Sequence, residues 1–296
     1  MRIVTAALCM AWTAFSIAAA EEPYAEEILA LLQEARKEAG ADALKHRQDL
    51  DLVAAQRAQQ VADLPHARRL SRAEPIKNLL EEAGIKLYRR ASMHQDMQRG
   101  FRYPASAFYR NWTKYETAWS KAMDPAYGSV GLATAKGEDG WLILIAVLLE
   151  EQRIPDDLRA VERAAIEAVN AVRLEHGLSE LEFREELADV ARRHSEDMAK
   201  RDFFSHDSPN KTDAKQRVSA AGLQFRRMGE NLFQCQGVDD PVEAAVSSWM
   251  ESPGHRENIL TPEFEQTGIG LVVDEEGRFF FTQLFMRPAR VKLLDR

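Results

Sequence analysis

The sequence MGENLFQCQGVDDPVEAAVSSWMESPGHRENIL, residues 228–260, holds most of the residues that decide the fold and the candidate site. Glu230 follows a glycine, and His255 stands in the sequence Ser-Pro-Gly-His. Glycine and proline are typical of turns, so we expect both side chains to lie on turns that face a cleft. A third polar group, His206, precedes them in the sequence Phe-Phe-Ser-His at residues 203–206.

A helix is predicted between these two polar positions. Asp240 suits an N-cap, Pro241 suits the first turn and Glu243 is an acid at the third helical position. The apolar residues that follow have the spacing of one buried face: Val242, Ala245, Val246 and Trp249. We therefore expect a helix that ends on a buried Trp249.

The chain contains an internal repeat with a spacing of 137 residues. The residues that recur are mainly Gly, Pro, Trp and Leu, which determine turns and cores. The matching pairs are Arg36 and Arg173, Gly40 and Gly177, Leu44 and Leu181, Leu50 and Leu187, Val53 and Val190, Pro104 and Pro241, Trp112 and Trp249, Pro125 and Pro262, Gly131 and Gly268, and Gly140 and Gly277. We interpret the first half of the chain as a diverged copy of the second.

The length of 296 residues suits two domains, each with its own core. Residues 1–20 have the layout of a secretory signal peptide cut after Ala20, and their apolar run is short for the alternative, a membrane anchor. Residues 150–157 are polar and contain a proline, which favours a linker. We therefore predict an exported protein, periplasmic or extracellular, with domains at 21–149 and 158–296.

Each predicted domain has helices first and antiparallel strands last. A helix opens each copy and ends at Gly40 or Gly177. A hairpin is predicted to close the second copy, with Gly268–Val273 paired to Phe279–Met286. This order predicts an α+β layered fold. His194 lies on an apolar helical stripe, where it is expected to point inward with one nitrogen hydrogen-bonded.

Composition and charge argue against a nucleic-acid partner, a transmembrane segment and an intrachain disulfide. The formal charge is −8, and it becomes −9 once Arg2 is removed with the signal peptide, so nucleic acid is an unfavourable partner. No transmembrane segment is predicted after signal removal. The mature chain keeps one cysteine, Cys235, which precludes an intrachain disulfide and which we interpret as a small buried residue.

Four motifs in order give the region of about residues 160–288 a resemblance to a known family. They are Phe-Phe-Ser-His at 203–206, Gly-Glu-Asn at 229–231, Ser-Pro-Gly-His-Arg-Glu-Asn-Ile-Leu at 252–260 and Phe-Thr-Gln at 281–283. Together they resemble the bacterial branch of the CAP superfamily, which comprises cysteine-rich secretory proteins, antigen 5 and pathogenesis-related 1 proteins. The resemblance implies an α-β-α sandwich, here in tandem. It also implies a central cavity lined by two histidines and two acids, which in some members holds a divalent metal, commonly zinc.

This sequence matches the family's cavity residues only in part. His206 matches the first histidine and Glu230 the first acid, but the positions of the second acid and second histidine hold Ser252, next to Glu251, and Phe280. His255 can replace the missing histidine only if its own element brings it to the same cavity. The predicted cleft residues are His206, Glu230, Asn231, His255 and Arg256, with His206 and His255 as possible zinc ligands. In the alternative interpretation, His206, Glu230 and His255 simply bond loops to one another.

The first copy lacks this set of residues. Residues 91–94 contain no Gly-Glu-Asn, and Ala118 stands at the position of His255. His66 is the one plausible counterpart of His206, and that match requires a deletion. The pattern favours a structural or interaction module.

No nucleophile motif accompanies the predicted cleft. The leading hypothesis is a non-enzymatic protein that binds a small or lipidic ligand, or a cell-envelope component, because family members have been linked to sterol and lipid binding. The alternative is a metal-assisted hydrolase acting on peptide or envelope substrate, with Glu230 as the base. A third interpretation is an adhesin-like pair of structural domains.

Overall fold

The computed structural model describes residues 22–65, 75–100 and 105–289. The predicted signal peptide and His66 lie outside these ranges, as does Pro104 of the repeat. None of the helices within the described ranges is both long and apolar enough to cross a membrane.

The described residues form two compact units. One unit consists mainly of residues before 148 and the other mainly of residues from 148 onward, with 75–92 and 126–129 grouped with the second. The elements of the first copy are α1 (Glu22–Glu38), β1 (Lys45–His46), α2 (Gln48–Ala62), α3 (Ile76–Glu82), β2 (Tyr88–Arg99), α4 (Ala105–Trp112), α5 (Glu116–Met123), β3 (Ser129–Lys136) and β4 (Trp141–Glu151).

The second copy repeats this order of helices and strands. Its elements are α6 (Leu158–Glu175), β5 (Glu182–Phe183), α7 (Glu185–Arg201), α8 (Ala214–Ala220), β6 (Phe225–Cys235), α9 (Pro241–Glu251), α10 (Pro253–Leu260), β7 (Gln266–Val273) and β8 (Phe279–Pro288). The sheets have the orders β1-β3-β4-β2 and β5-β7-β8-β6, so the topology is the same in both. The predicted tandem of two α+β domains is confirmed.

Equivalent buried residues stabilise each copy separately. Arg36 donates to the carbonyls of Asp42, Ala122 and Asp124, and Arg173 donates to those of Ser179, Ile259 and Thr261, each acceptor being shifted by the same 137 positions. In addition, Gly40 and Gly177 have φ of 74° and 73° after the opening helix, a left-handed conformation that favours glycine. The repeat is therefore one of hydrogen bonds as well as of sequence.

Strand β8 explains why the second domain has helices on both faces of its sheet. Its sequence FFFTQLFM is almost continuously apolar, because alternate residues enter two cores. Phe279, Phe281 and Phe285 pack in a cluster with residues of α6 and α9. Leu284 and Met286 pack with α7 and α8 on the opposite face. The result is the predicted α-β-α sandwich.

The predicted hairpin is confirmed, since β7 and β8 pair antiparallel from Val273 with Phe279 to Gln266 with Met286. The helix predicted from Asp240 also forms, with the Asp240 carboxylate accepting from the Val242 and Glu243 amides, but it ends at Glu251 and not at Trp249. Strand β4 reaches Glu151, so it includes the first two residues of the predicted linker. The domain limits themselves stay a prediction.

The prediction that Glu230 and His255 lie on turns is wrong. Glu230 is in the middle of β6, and His255 is in the first turn of α10. Gly229 is needed for a close approach and not for a turn, because a Cβ there would lie 2.6 Å from Asn258 Oδ1. Pro253 begins a helix, where proline needs no amide hydrogen.

Candidate functional site

The candidate site is built on β6, which is an edge strand of the second sheet. Glu230 pairs with Leu284 and Asn231 pairs with Gln283 in an antiparallel register. Because side chains alternate along a strand, Glu230 shares the face of Leu284, which packs toward α7 and α8. Asn231 points to the opposite face. Two adjacent polar residues thus have different neighbours.

Glu230 is a buried carboxylate with both oxygens engaged. Its side chain is 4% exposed. Oε1 lies 2.8 Å from His206 Nδ1, and Oε2 accepts from Arg217 Nη2 at 2.6 Å. A carboxylate can remain charged in such a buried position only when it is paired and hydrogen-bonded. The predicted proximity of His206 and Glu230 is therefore present in the structure.

Arg217 is a site residue that sequence reasoning missed. It lies on α8, which Asp213 and Gln216 begin with a capping box, and its side chain is 12% exposed. Besides Glu230, its guanidinium contacts the carbonyls of His206 and Thr212, both at 2.9 Å through Nη1. One signal could have found it: Arg217 lies beside the buried stripe that begins at Ala214. Its partners are not apparent from the sequence, because Glu230 is on another element.

His206 presents one nitrogen to the protein and one to solvent. Its side chain is 58% exposed. A carboxylate only accepts hydrogen bonds, so Nδ1 carries the proton and the neutral ring has its lone pair on Nε2. The hydrogen bond with Glu230 raises the pKa of His206 above its ordinary value, although partial burial opposes this change. The outward nitrogen is therefore available to a ligand when the pH exceeds this raised pKa.

Helix α10 is attached to β6 by two asparagines. Asn231, which is fully buried, donates to the His255 carbonyl at 3.1 Å. Asn258 donates to the Glu230 carbonyl at 3.1 Å and to Asn231 Oδ1 at 2.8 Å. Asn231 is thus a link between strand and helix. Arg256, also predicted for the cleft, is exposed and directs its Nε to the Met250 carbonyl.

His255 is half-buried, and its charge state is coupled to that of His206. Burial lowers the pKa of His255, and the positive charge of His206 lowers it further. Among the described residues, His255 Nδ1 is buried without a hydrogen-bond partner. The proximity of the two imidazoles, at a separation of roughly 4–6 Å that suits one shared zinc ion, stays a prediction.

The donor chemistry of these residues fits a weakly held zinc ion. The Glu230–His206 contact is the arrangement in which a carboxylate fixes the tautomer of a metal-binding imidazole. His206 Nε2 and a nitrogen of His255 would be the two protein ligands, which leaves positions for water. Within the described ranges no three or more His, Cys, Asp or Glu residues are grouped so that together they could hold a metal ion. The two histidines are therefore the protein ligands that a zinc ion could have here, and the site would be open to water.

Two other residues with candidate roles, Phe280 and Cys235, do not add a ligand to this site. Phe280, at the position of the family's second histidine, is buried in the core. Cys235 is partly buried, and burial raises the pKa of its thiol to about 11, which disfavours a reactive thiolate.

The first copy has a different set of residues at the corresponding positions. With the 137-residue offset, Met93 corresponds to Glu230, Leu80 to Arg217 and Ala118 to His255. Leu80 is fully buried, as expected for an apolar replacement of a buried arginine. The first copy keeps the helices, the strands and the buried Arg36, but at these positions it has neither the carboxylate nor its guanidinium partner.

Comparison with known proteins identifies the same two regions. The sequence model of the cysteine-rich secretory protein family, CAP, matches residues 29–148 and again residues 166–285. Among curated proteins, an uncharacterized protein of Bacillus subtilis (strain 168), YkwD, is 35% identical over 132 residues, which is 45% of this chain and 49% of that protein. An uncharacterized membrane protein of the same organism, YlbC, is 35% identical over 126 residues, 43% of this chain and 34% of that protein. The chain thus spans half or less of these relatives.

Among solved structures, an extracellular protein containing a SCP domain from Bacillus anthracis str. Ames is 26% identical with a TM-score of 0.41. The match covers 53% of this chain and 59% of that chain.

Proposed function

Because the chain belongs to the cysteine-rich secretory protein (CAP) family, in which it has two tandem domains, we propose that the second domain is a binding module. Its ligand occupies the cleft formed by His206, Glu230 and His255. The ligand is a small or lipidic molecule or a cell-envelope component, and zinc is the ion that the two imidazoles would hold. The similar structure from Bacillus anthracis is that of an extracellular protein, and we propose an exported location for this chain as well.

The observation that carries this proposal is the engagement of Glu230. Both of its oxygens are hydrogen-bonded, one to His206 and one to Arg217, and the side chain is almost fully buried. A general base must reach the proton that it removes, and it needs an oxygen free to do so. Glu230 is better placed to orient His206 than to activate water. The geometry therefore favours binding over the metal-assisted hydrolase.

A zinc ion, when bound, would supply an electrophile for an anionic or carbonyl group of the ligand. The chain's own contribution is to hold the ring of His206 with Nε2 outward and to keep its other nitrogen protonated. Its partly buried partner, His255, is held in the neutral form by a lowered pKa, and only neutral imidazole binds metal. The first feature directs Nε2 toward the ion, and the second leaves His255 neutral, so the site binds metal once the pH exceeds the raised pKa of His206.

The test is a zinc titration of the mature chain by calorimetry, with a chelator control. We expect His206→Ala or His255→Ala to abolish the heat of binding, and Glu230→Gln to weaken binding by about 10-fold, as is typical for a residue that orients a ligand. His176→Ala is the matched control, because His176 is an exposed histidine that bonds to the Val172 carbonyl on α6. It should bind zinc like the parent.

The pH dependence has a definite sign. Zinc competes with the proton for Nε2 of His206, whose pKa is raised, so affinity should fall as the pH decreases through that pKa, beginning above about 6.5. Unchanged zinc binding in the His206→Ala and His255→Ala double variant would refute the shared site. In that case Glu230 would serve only to anchor the segment of His206.

A further inference from the structure

His194 is the one histidine on the apolar face of α7. It is 1% exposed and lies on the buried stripe with Val190 and Met198. This position confirms the prediction that His194 points inward with one nitrogen satisfied. Nε2 contacts the Ser205 carbonyl at 3.0 Å, and Nδ1 is buried without a partner in the described residues. Because a carbonyl only accepts, Nε2 carries the proton.

The segment after α7 folds back over this histidine. Asp202 has φ of 50°, a left-handed conformation that ends the helix and reverses the chain. The ring of Phe203 then packs edge-on against the His194 ring, with centroids 6.0 Å apart. The hydrogen bond to Ser205 follows two residues later. His194 therefore contacts the segment that leads directly to His206.

Two side chains together hold the backbone on both sides of the His206 Cα. The Ser205 carbonyl, which precedes His206, is bonded to His194, and the carbonyl of His206 itself is bonded to Arg217. Arg217 also bonds Glu230, the partner of the His206 ring. Backbone and ring of an otherwise exposed histidine are thus held at three points. An exposed side chain without such contacts would occupy several rotamers.

We propose that His194 is a positioning residue for His206, an inference that rests on the proposed binding function of the cleft. It fixes the Ser205 carbonyl, and through it the direction in which His206 Nε2 faces the ligand. A leucine would fill the apolar face of α7 more favourably than an imidazole with an unpaired nitrogen. The hydrogen bond from His194 to the Ser205 carbonyl, next to His206, explains why an imidazole stands at this position.

Two amide variants separate this role from simple core packing. Glutamine places its amide nitrogen near the position of imidazole Nε2, so His194→Gln keeps a donor for Ser205. Asparagine is one bond shorter, so His194→Asn buries the same amide group but does not reach the Ser205 carbonyl. Val190→Ala, which leaves a cavity in the same buried stripe, is the control for destabilisation alone.

Each variant of the mature chain is measured in two ways. Zinc affinity reports on the cleft, and the NMR signal of the His206 Nδ1 proton, which the Glu230 bond protects from exchange, reports on the position of the ring. We expect His194→Asn to lose the proton signal and to bind zinc about 10-fold more weakly, while His194→Gln keeps the signal and binds within about twofold of the parent. Val190→Ala should lower the melting temperature and leave both measurements unchanged.

The outcomes separate the two claims. If the parent does not bind zinc, the metal part of the proposed function fails, and the proton signal still tests the role of His194. If His194→Asn keeps both the signal and the affinity, or if Val190→Ala weakens both as strongly, His194 is a core residue and the inference is overturned.

Discussion

Replacement of Arg173 by methionine should destabilise the second domain more than the change in side-chain volume alone suggests. Arg173 is 1% exposed, and its guanidinium donates to four carbonyl oxygens. The acceptors, with their distances, are Ser179 at 2.9 Å, Ile259 at 2.6 Å, Thr261 at 3.0 Å and Phe264 at 3.4 Å. Three of these carbonyls lie at or just beyond the end of α10, the helix that carries His255.

The magnitude follows from the hydrogen bonds. A hydrogen bond to a charged group contributes about 1.5–3 kcal/mol, and three of the four bonds are no longer than 3.0 Å. Part of this gain is offset by the burial of the guanidinium, which also lowers the pKa of Arg173. Methionine restores the apolar contacts of the stem but leaves the carbonyls without donors. We therefore expect Arg173→Met to reduce the free energy of unfolding by about 3–5 kcal/mol.

The assay combines urea denaturation of the mature chain with hydrogen exchange followed by mass spectrometry. In Arg173→Met, peptides that cover residues 253–264 should lose protection first, because the end of α10 has lost its anchor. Arg36→Met is the matched control, since Arg36 makes equivalent contacts in the first copy, at the carbonyls of Asp42, Ala122 and Asp124. It should reduce protection near residues 120–125 and leave 253–264 as in the parent.

A loss below about 1 kcal/mol for Arg173→Met would refute the reasoning, since it would mean that water replaces the guanidinium at the four carbonyls. Equal exchange at residues 253–264 in the parent and the variant would refute the proposed anchoring of α10 even if stability fell.

Three further predictions concern packing and charge. Trp249→Ala should reduce the free energy of unfolding by about 3–5 kcal/mol, because the indole is fully buried and donates to the Leu232 carbonyl at 3.0 Å. A loss under about 1 kcal/mol in urea denaturation would mean that this packing is unimportant. Gly268→Ala should destabilise by about 3 kcal/mol or more, since its Cβ would lie 2.2 Å from the backbone of α7, while Gly254→Ala, whose Cβ meets nothing within 4 Å, should change the melting temperature little. Burial lowers the pKa of His94 from 6.5 to about 4, so the folded first domain loses up to about 3 kcal/mol of unfolding free energy as the pH falls from 6.5 toward 4. The melting temperature of His94→Gln should therefore depend less on pH than that of the parent. Identical pH profiles for the two proteins would contradict the assigned cause.

The sequence predicted the repeat because the positions that the two copies share are those at which the backbone allows few residues. Gly268 lies against the backbone of α7, and Gly177 needs a left-handed φ. Their counterparts, Gly131 and Gly40, meet the same requirements in the first copy. Such constraints persist after the surface has diverged. They made the two-domain α+β fold predictable from the sequence.

Local chemistry also predicted the helix that begins after Asp240, since an aspartate N-cap and a first-turn proline act within a few residues. The same kind of reasoning failed for Gly229 and Pro253. A glycine within a strand and a proline in the first turn of a helix look like turn residues in the sequence. Only the residues that surround them in the fold show that they are not. For Gly229 that neighbour is Asn258, which is distant in the sequence.

The sequence by itself determined that two domains with similar cores follow one another, and it predicted that His206, Glu230 and His255 form one site. Only the tertiary structure decided that Arg217 holds Glu230 and that His194 holds the segment of His206. The physical reason is that a hydrogen bond depends on distance and direction between atoms on different elements. The register of β6 against β8 and the packing of α7 and α8 on that face set these distances, and neither is contained in the local pattern of any one segment.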